Sequence, residues 1–241
     1  MKKDFFAALR FITILPFGDP EYFKPERMLQ YFPVVGLLLG FIIAFCDLIF
    51  CSLWSTQTAS IIDIVLLISI TGAFHLDGLG DAADGMLGVR SREKALSIMK
   101  DSRIGMMGLA AVACVLALKF AGLSELNENR FLFLLIIPAY SRGGSLFGFI
   151  YLKYLRSDEG TAKPLFGDKP DHSILIWMVI PAVFSLLGGF RGILLNIIFA
   201  LTIYAILSWY KKRMGGITGD MLGAMTEITE AVLLLTVTAG L

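Results

Sequence analysis

TGAFHLDGLGDAADGM, residues 71–86, is the stretch on which the reading of this chain turns. An apolar run ends there, and Asp77, Asp81 and Asp84 follow at i, i+4 and i+7. At about 100° between successive side chains, that spacing predicts a helix with all three carboxylates on one face. The preceding run, 61–74, is apolar enough for lipid except at Asp63. Like charges crowded at a membrane boundary repel one another and lose hydration. A bound divalent cation is the simplest compensation. The competing explanation is a solvated acidic loop whose aspartates cap helix starts. His75 falls opposite the aspartates on a helical wheel, as either a hydrogen-bonded structural group or a substrate contact.

Outward from this segment the chain reads as a polytopic membrane protein. Of its 241 residues 56% are hydrophobic and only 17% charged, and the mean hydropathy is +0.75, outside the range of soluble domains. The expected fold is all-α, a membrane helical bundle forming one integral membrane catalytic domain over 1–241. Residues 1–30 are an interfacial N-terminal segment, because 5–17 is too short to cross about 30 Å of hydrocarbon. Candidate spans are 31–50, 60–74, 108–123, 131–150, 173–187, 192–209 and 221–241, seven in all. Asp4, Arg10, Pro16 and Gly18 interrupt any secretory signal. Cys46, Cys51 and Cys114 show no metal-binding spacing and read as small buried hydrophobes.

Basic residues set the expected orientation. With the N-terminus in the cytoplasm, Lys2, Lys3, Arg10, Lys24 and Arg27 share a side with Arg90, Arg92, Lys94, Lys100 and Arg103. Lys153, Arg156, Lys163 and Lys169 join them, as do Lys211, Lys212 and Arg213, whereas the opposite loops hold Arg130 and Arg191. The positive-inside rule then places 75–107 as a cytoplasmic acidic active-site segment of a cell (inner) membrane protein.

Two further motifs share that side. KDSRIGMMG, residues 100–108, offers Asp101 or Ser102 as a helix cap and glycines for close packing, while Lys100 and Arg103 suit a phosphate ligand. GGITGDMLGA, residues 215–224, opens the last span with Asp220 as an N-cap and carries Glu227 and Glu230 into the apolar run. Buried ionisable groups in a membrane point to function, although an Arg142–Glu227 structural pair explains two of them equally. Gly78, Gly80 and Gly85 leave backbone open to a ligand or to a neighbouring helix. No serine triad, zinc site, Walker loop or nucleic-acid surface is evident. Metal-binding carboxylates beside cations suggest phosphoryl or phosphodiester transfer, with one free carboxylate taking the proton of an attacking hydroxyl.

The blocks FHLDGLGDAADG (74–85), IMKDSRIGMMG (98–108) and GGITGDMLGA (215–224) resemble the signatures of the cobalamin synthase family of adenosylcobinamide-GDP ribazoletransferases. FITILP (11–16), YFPVVGLLLG (31–40), SRGG around Arg142, and Glu227 with Glu230 fit in the same order, so the likeness runs over nearly the whole chain; 157–171 matches least well. The resemblance implies a Mg²⁺-dependent membrane enzyme of cobalamin nucleotide-loop assembly. Its substrates would be adenosylcobinamide-GDP and α-ribazole or its 5′-phosphate, with GMP released. It further implies Asp77, Asp81, Asp84 and Asp220 as metal ligands and Asp84 or Asp101 as catalytic base. His75, Lys100, Ser102, Arg103, Arg142, Thr218 and Glu227 would be substrate contacts. A lipid bilayer is the expected environment, a homo-oligomer is compatible, and no nucleic-acid partner is expected. Asp81-x-x-Asp84-Gly85 is also similar to the core of CDP-alcohol lipid phosphotransferases, but the remainder of that motif is missing from 86–110. A cation or solute transporter, the answer from another class, would distribute its acids across the bilayer midplane rather than gather them on one side.

Overall fold

Long apolar runs without strand-like alternation, begun by capping residues and ended by glycine or a loop, make this chain helical throughout. The computed structural model describes residues 1–101, 103–156, 162–167 and 171–240. Its α-helices are α1 (Lys2–Ile12), α2 (Pro25–Met28), α3 (Phe32–Leu53), α4 (Thr56–Thr71), α5 (Phe74–Met86), α6 (Arg92–Ile98), α7 (Met106–Glu125), α8 (Arg130–Tyr151), α9 (Val179–Ser185), α10 (Gly189–Met214) and α11 (Gly219–Thr238). Short 3₁₀ turns cover Leu29–Tyr31, Lys163–Phe166, His172–Met178 and Leu186–Gly188. The β-type pairing among the described residues is one isolated parallel bridge, Tyr154 to Ile217.

The packing is that of a membrane bundle. Phe41, Phe45, Leu48 and Ile49 of α3 face outward, as do Ile193, Ile197 and Leu201 of α10. Asp47, Asp63, Lys119, Arg142, Glu227 and Glu230 are buried instead. Water would reverse that distribution, whereas lipid accepts apolar surface and drives charge inward to find partners. α3 and α8 approach closely, Gly36 and Gly40 lying against the backbone of Ala139 and Leu135. Cys51 and Cys114 are exposed and Cys46 is half-buried, which corrects the expectation that all three are buried. A thiol on a lipid-facing helix surface needs no burial inside the protein.

Five stretches are long and apolar enough to cross a membrane, or six if the bent pair α4–α5 forms one span. The expected seven is therefore not the count that length and apolarity give. The difference lies in His172–Met214, one 43-residue stretch by that test. This stretch folds back on itself. His172 packs on Tyr151 at one end of α8, with ring centroids 5.9 Å apart. Gly188 lies against Phe133 at the other end, and α10 then returns to Ile217, whose N–H donates to the Lys153 carbonyl at 2.9 Å.

A second departure falls at the opening motif. The helix expected over 60–74 stops at Thr71. Gly72 (φ 61°) and Ala73 (φ 57°) both take the left-handed conformation, so α5 leaves at 90° to α4. Glycine accepts that conformation readily; alanine holds it at a cost of about 1–2 kcal/mol. The acidic segment thus becomes a separate short helix lying across the ends of α7 and α11 rather than the continuation of a span.

Candidate active site

The acidic face is built by close helix crossings at glycine. A Cβ on Gly78 would stand 2.8 Å from the Asp220 carbonyl oxygen, and one on Gly223 would stand 3.0 Å from the His75 carbonyl oxygen. With hydrogen at both positions, α5 and α11 touch backbone to backbone, which brings the aspartates of two distant motifs to one place. Asp77 is exposed and Asp81 half-buried. Asp81 lies within charge–charge range of Asp220, Asp77 and Asp84, with Arg156 the cation in reach. Among the described residues, the side chains of Asp77 and Asp81 have no hydrogen-bond or ion-pair partner.

Asp84 is placed differently from its neighbours. Its Oδ2 accepts from the Gly105 N–H at 2.6 Å and its Oδ1 from the Gly108 N–H at 2.9 Å. It therefore caps α7 from another helix, satisfying N–H groups that would otherwise be orphaned. This overturns the expectation that Asp101 or Ser102 caps that helix: its N-cap is Gly105, with no side-chain cap of its own. Ser102 itself lies outside the described residues.

Asp101 is bound by Arg103, whose Nη2 and Nε donate to its carboxylate at 2.6 and 2.9 Å. The hydrogen bonds from the Arg103 side chain, then that from its backbone N–H, hold the Asp101 carboxyl down at about 2. So weak a base fits poorly with the expected role of Asp101 in proton abstraction. Lys100 is exposed on the same loop.

At the other motif Thr218, not Asp220, is the N-cap, its hydroxyl accepting from the Met221 N–H at 3.2 Å. Asp220 is left in the first turn, where its Oδ2 takes a 2.6 Å ion pair from Arg156. Arg156 also donates to the Met99 carbonyl at 3.1 Å, and among the described residues its buried Nε has no partner. Sequence reasoning assigned this arginine to membrane orientation alone. Its signal was only a basic residue just after a span.

Arg142 and Glu227 lie beneath this surface rather than in it. Lys119 Nζ donates to Glu227 at 2.6 Å and to Glu230 at 2.7 Å. Arg142 pairs with Glu230, which also accepts from Ser141 at 2.9 Å. The expected Arg142–Glu227 pair is thus replaced by a four-membered network joining α7, α8 and α11. It borders a separate void of about 40 Å³ that reaches Asp63. Asp63 in turn shares Arg130 with Asp47, at 3.3 and 2.7 Å.

Beside the aspartates is a cavity of about 260 Å³. Asp77, Arg156 and Asp220 stand in its wall with His75, Ser145 and Thr226, and the remaining lining is largely aromatic and aliphatic. His75 is 7% exposed and among the described residues its Nδ1 has no partner, so of its two expected roles the wall position favours ligand contact. Among the described residues, no three His, Cys, Asp or Glu side chains converge as a ready metal nest. Mg²⁺ commonly takes one or two carboxylates and completes its shell with water and substrate phosphate. Two unpaired carboxylates one helical turn apart, Asp77 and Asp81, are a donor set of that kind.

A family model described as cobalamin-5-phosphate synthase matches residues 4–238. A protein from Geotalea daltonii is 31% identical over 99% of this chain and 98% of its own length. One from Roseiflexus sp. is 33% identical over 96% and 87%, and one from Escherichia coli K12 is 34% identical over 98% and 99%. All three carry the name adenosylcobinamide-GDP ribazoletransferase. No solved structure matches the chain.

Proposed function

Since the chain belongs to the cobalamin-5-phosphate synthase family, an enzyme family of late cobalamin biosynthesis, we propose that it transfers the cobinamide phosphate of adenosylcobinamide-GDP to α-ribazole or its 5′-phosphate. A ring hydroxyl of the ribose, free in both acceptors because one of them carries phosphate at the 5′ position, forms the new O–P bond at the cobinamide-proximal phosphorus. The bond from that phosphorus to the bridging oxygen breaks, and GMP leaves with that oxygen. The observation that carries the reading is the α5–α11 glycine crossing, which brings the free Asp77 carboxylate, the paired Asp220 and Arg156 to the mouth of one cavity, with Asp81 one helical turn from Asp77.

Asp77 and Asp81 would hold Mg²⁺, which when bound supplies positive charge for the diphosphate oxygens. Asp220, oriented by Arg156 and Thr218, takes the proton of the attacking hydroxyl. The Arg156 guanidinium, in the cavity wall, meets a phosphoryl oxygen as charge builds on the leaving group. Asp84 contributes by fixing α7 against α5. The site end of the bundle faces the cytoplasm, where both soluble substrates are available. Full-length protein in lipid, given α-ribazole, Mg²⁺ and adenosylcobinamide-GDP, releases GMP in proportion to corrinoid product. No release with that donor, alongside CMP release from a CDP-alcohol, would transfer the assignment to the lipid phosphotransferases.

A further inference from the structure

The 260 Å³ cavity has two ends of different chemistry. Asp220 is in the first turn of α11, and Thr226 is six residues further along, about 9 Å deeper. Asp77 is exposed and Arg156 and Asp220 half-buried, whereas His75, Ser145 and Thr226 are buried. Charge therefore lines the mouth, and among the described lining residues none carries a formal charge at the floor.

The walls are a connected run of aromatic rings. Phe74 meets Phe11 edge-on at 5.6 Å, Phe11 stacks on Phe32 at 6.0 Å, and Phe32 meets Phe149 at 6.4 Å. The Ser145 and Thr226 hydroxyls donate to carbonyls of their own helices, Arg142 at 2.7 Å and Leu222 at 3.1 Å. His75 Nδ1 is the buried polar atom of this floor without a partner, and an unpaired polar group sealed from water is unfavourable by about 1–3 kcal/mol. Small-molecule pockets run from about 300 to 1,000 Å³. At about 260 Å³ this cavity falls just under that range, a size for a fused bicyclic ring rather than for a corrinoid macrocycle.

We propose that the cavity seats the base of the acceptor nucleoside, a flat, neutral, fused heteroaromatic ring held between the phenylalanines. A turn of the His75 ring brings Nδ1–H from its sealed position to the unsubstituted ring nitrogen, and the sugar reaches the mouth with a ring hydroxyl between Asp77 and Asp220. The macrocycle of the donor stays outside the cavity, with only its diphosphate at the mouth. His75 is then a specificity residue for the acceptor. This rests on the transferase reading above.

The test is steady-state kinetics on the full chain in lipid, with 5,6-dimethylbenzimidazole, the free base, as probe. In the wild type the free base inhibits GMP release competitively against α-ribazole and not against adenosylcobinamide-GDP. His75→Phe raises the acceptor KM at least tenfold and leaves the donor KM unchanged, and His75→Gln recovers part of the loss. Competition against the donor, no inhibition by the base, or a donor KM that moves with His75 would each overturn the pocket assignment while GMP release persists. Absence of GMP release from the wild type would instead remove the transferase reading, and this inference with it.

Discussion

At the scale of single residues, three aspartates on one helix face do different work. Asp77 and Asp81 are unpaired, whereas Asp84 accepts from two backbone N–H groups at the start of α7. Asp81→Ala removes a charge from the face proposed to hold Mg²⁺, so GMP release should fall below detection while the melting temperature stays at the wild-type value. Asp84→Ala leaves two partly buried donors without an acceptor, a loss of about 1–3 kcal/mol each. It should lower the melting temperature as well as the activity. Equal melting temperatures for the two variants would show that Asp84 is no anchor. Asp101 gives a pH prediction. A carboxyl whose folded pKa is depressed contributes stability above its ordinary range and loses it only as pH falls towards about 2. Asp101 therefore stays ionised from about pH 5 to 9, and Asp101→Asn should leave the shape of the pH–rate profile unchanged across that window. A lost limb in the profile would restore Asp101 as the base.

At the scale of elements, the site depends on how closely α5 and α11 cross. Gly78→Ala would place a methyl 2.8 Å from the Asp220 carbonyl oxygen, and a backbone atom cannot swing aside. The helices must part, and misplacement of about 1 Å is worth about a hundredfold in turnover. Gly80 is the control, because a Cβ there meets nothing nearer than the Ile104 side chain at 3.8 Å. Gly80→Ala should retain activity and Gly78→Ala should lose most of it, with equal helical content by circular dichroism. The helix and its acidic face were legible because i, i+4 and i+7 is a geometric statement about side chains. The right-angle bend before it was not: Gly72-Ala73 reads as ordinary helix content, and only packing forces alanine to positive φ. Nor could spacing show which polar residue caps which helix. Asp84 reaches α7 across the sequence, and Thr218 rather than Asp220 serves α11.

At the scale of the whole molecule, charge is sorted by depth. The buried network of Lys119, Glu227, Glu230 and Arg142 balances two cations against two anions; sequence singled out Arg142, Glu227 and Glu230 but paired Arg142 with Glu227, and the structure pairs it with Glu230. Lys119→Met leaves two carboxylates short of a partner, an effect of about 3–5 kcal/mol. Lys119→Met with Glu227→Met should be less destabilising than the single change, read as thermal unfolding in detergent. The ends of the bundle differ too. Arg130 and Arg191, at the end away from the site, are both tied to acids, Asp47 at 2.7 Å and Glu128 at 2.9 Å. Exposed lysines and arginines such as Arg92, Lys94, Lys211 and Lys212 crowd the site end instead. Net positive charge resists translocation, so the positive-inside rule predicts a cytoplasmic site end. Gln57, exposed in the first turn of α4, and Lys94, exposed on α6, report the two ends. In a background with Cys46, Cys51 and Cys114 replaced by serine, sealed right-side-out vesicles should expose Gln57→Cys to a membrane-impermeant maleimide. Lys94→Cys should react only after lysis. The reverse pattern would put the aspartates outside the cell, away from any supply of a nucleotide-activated donor.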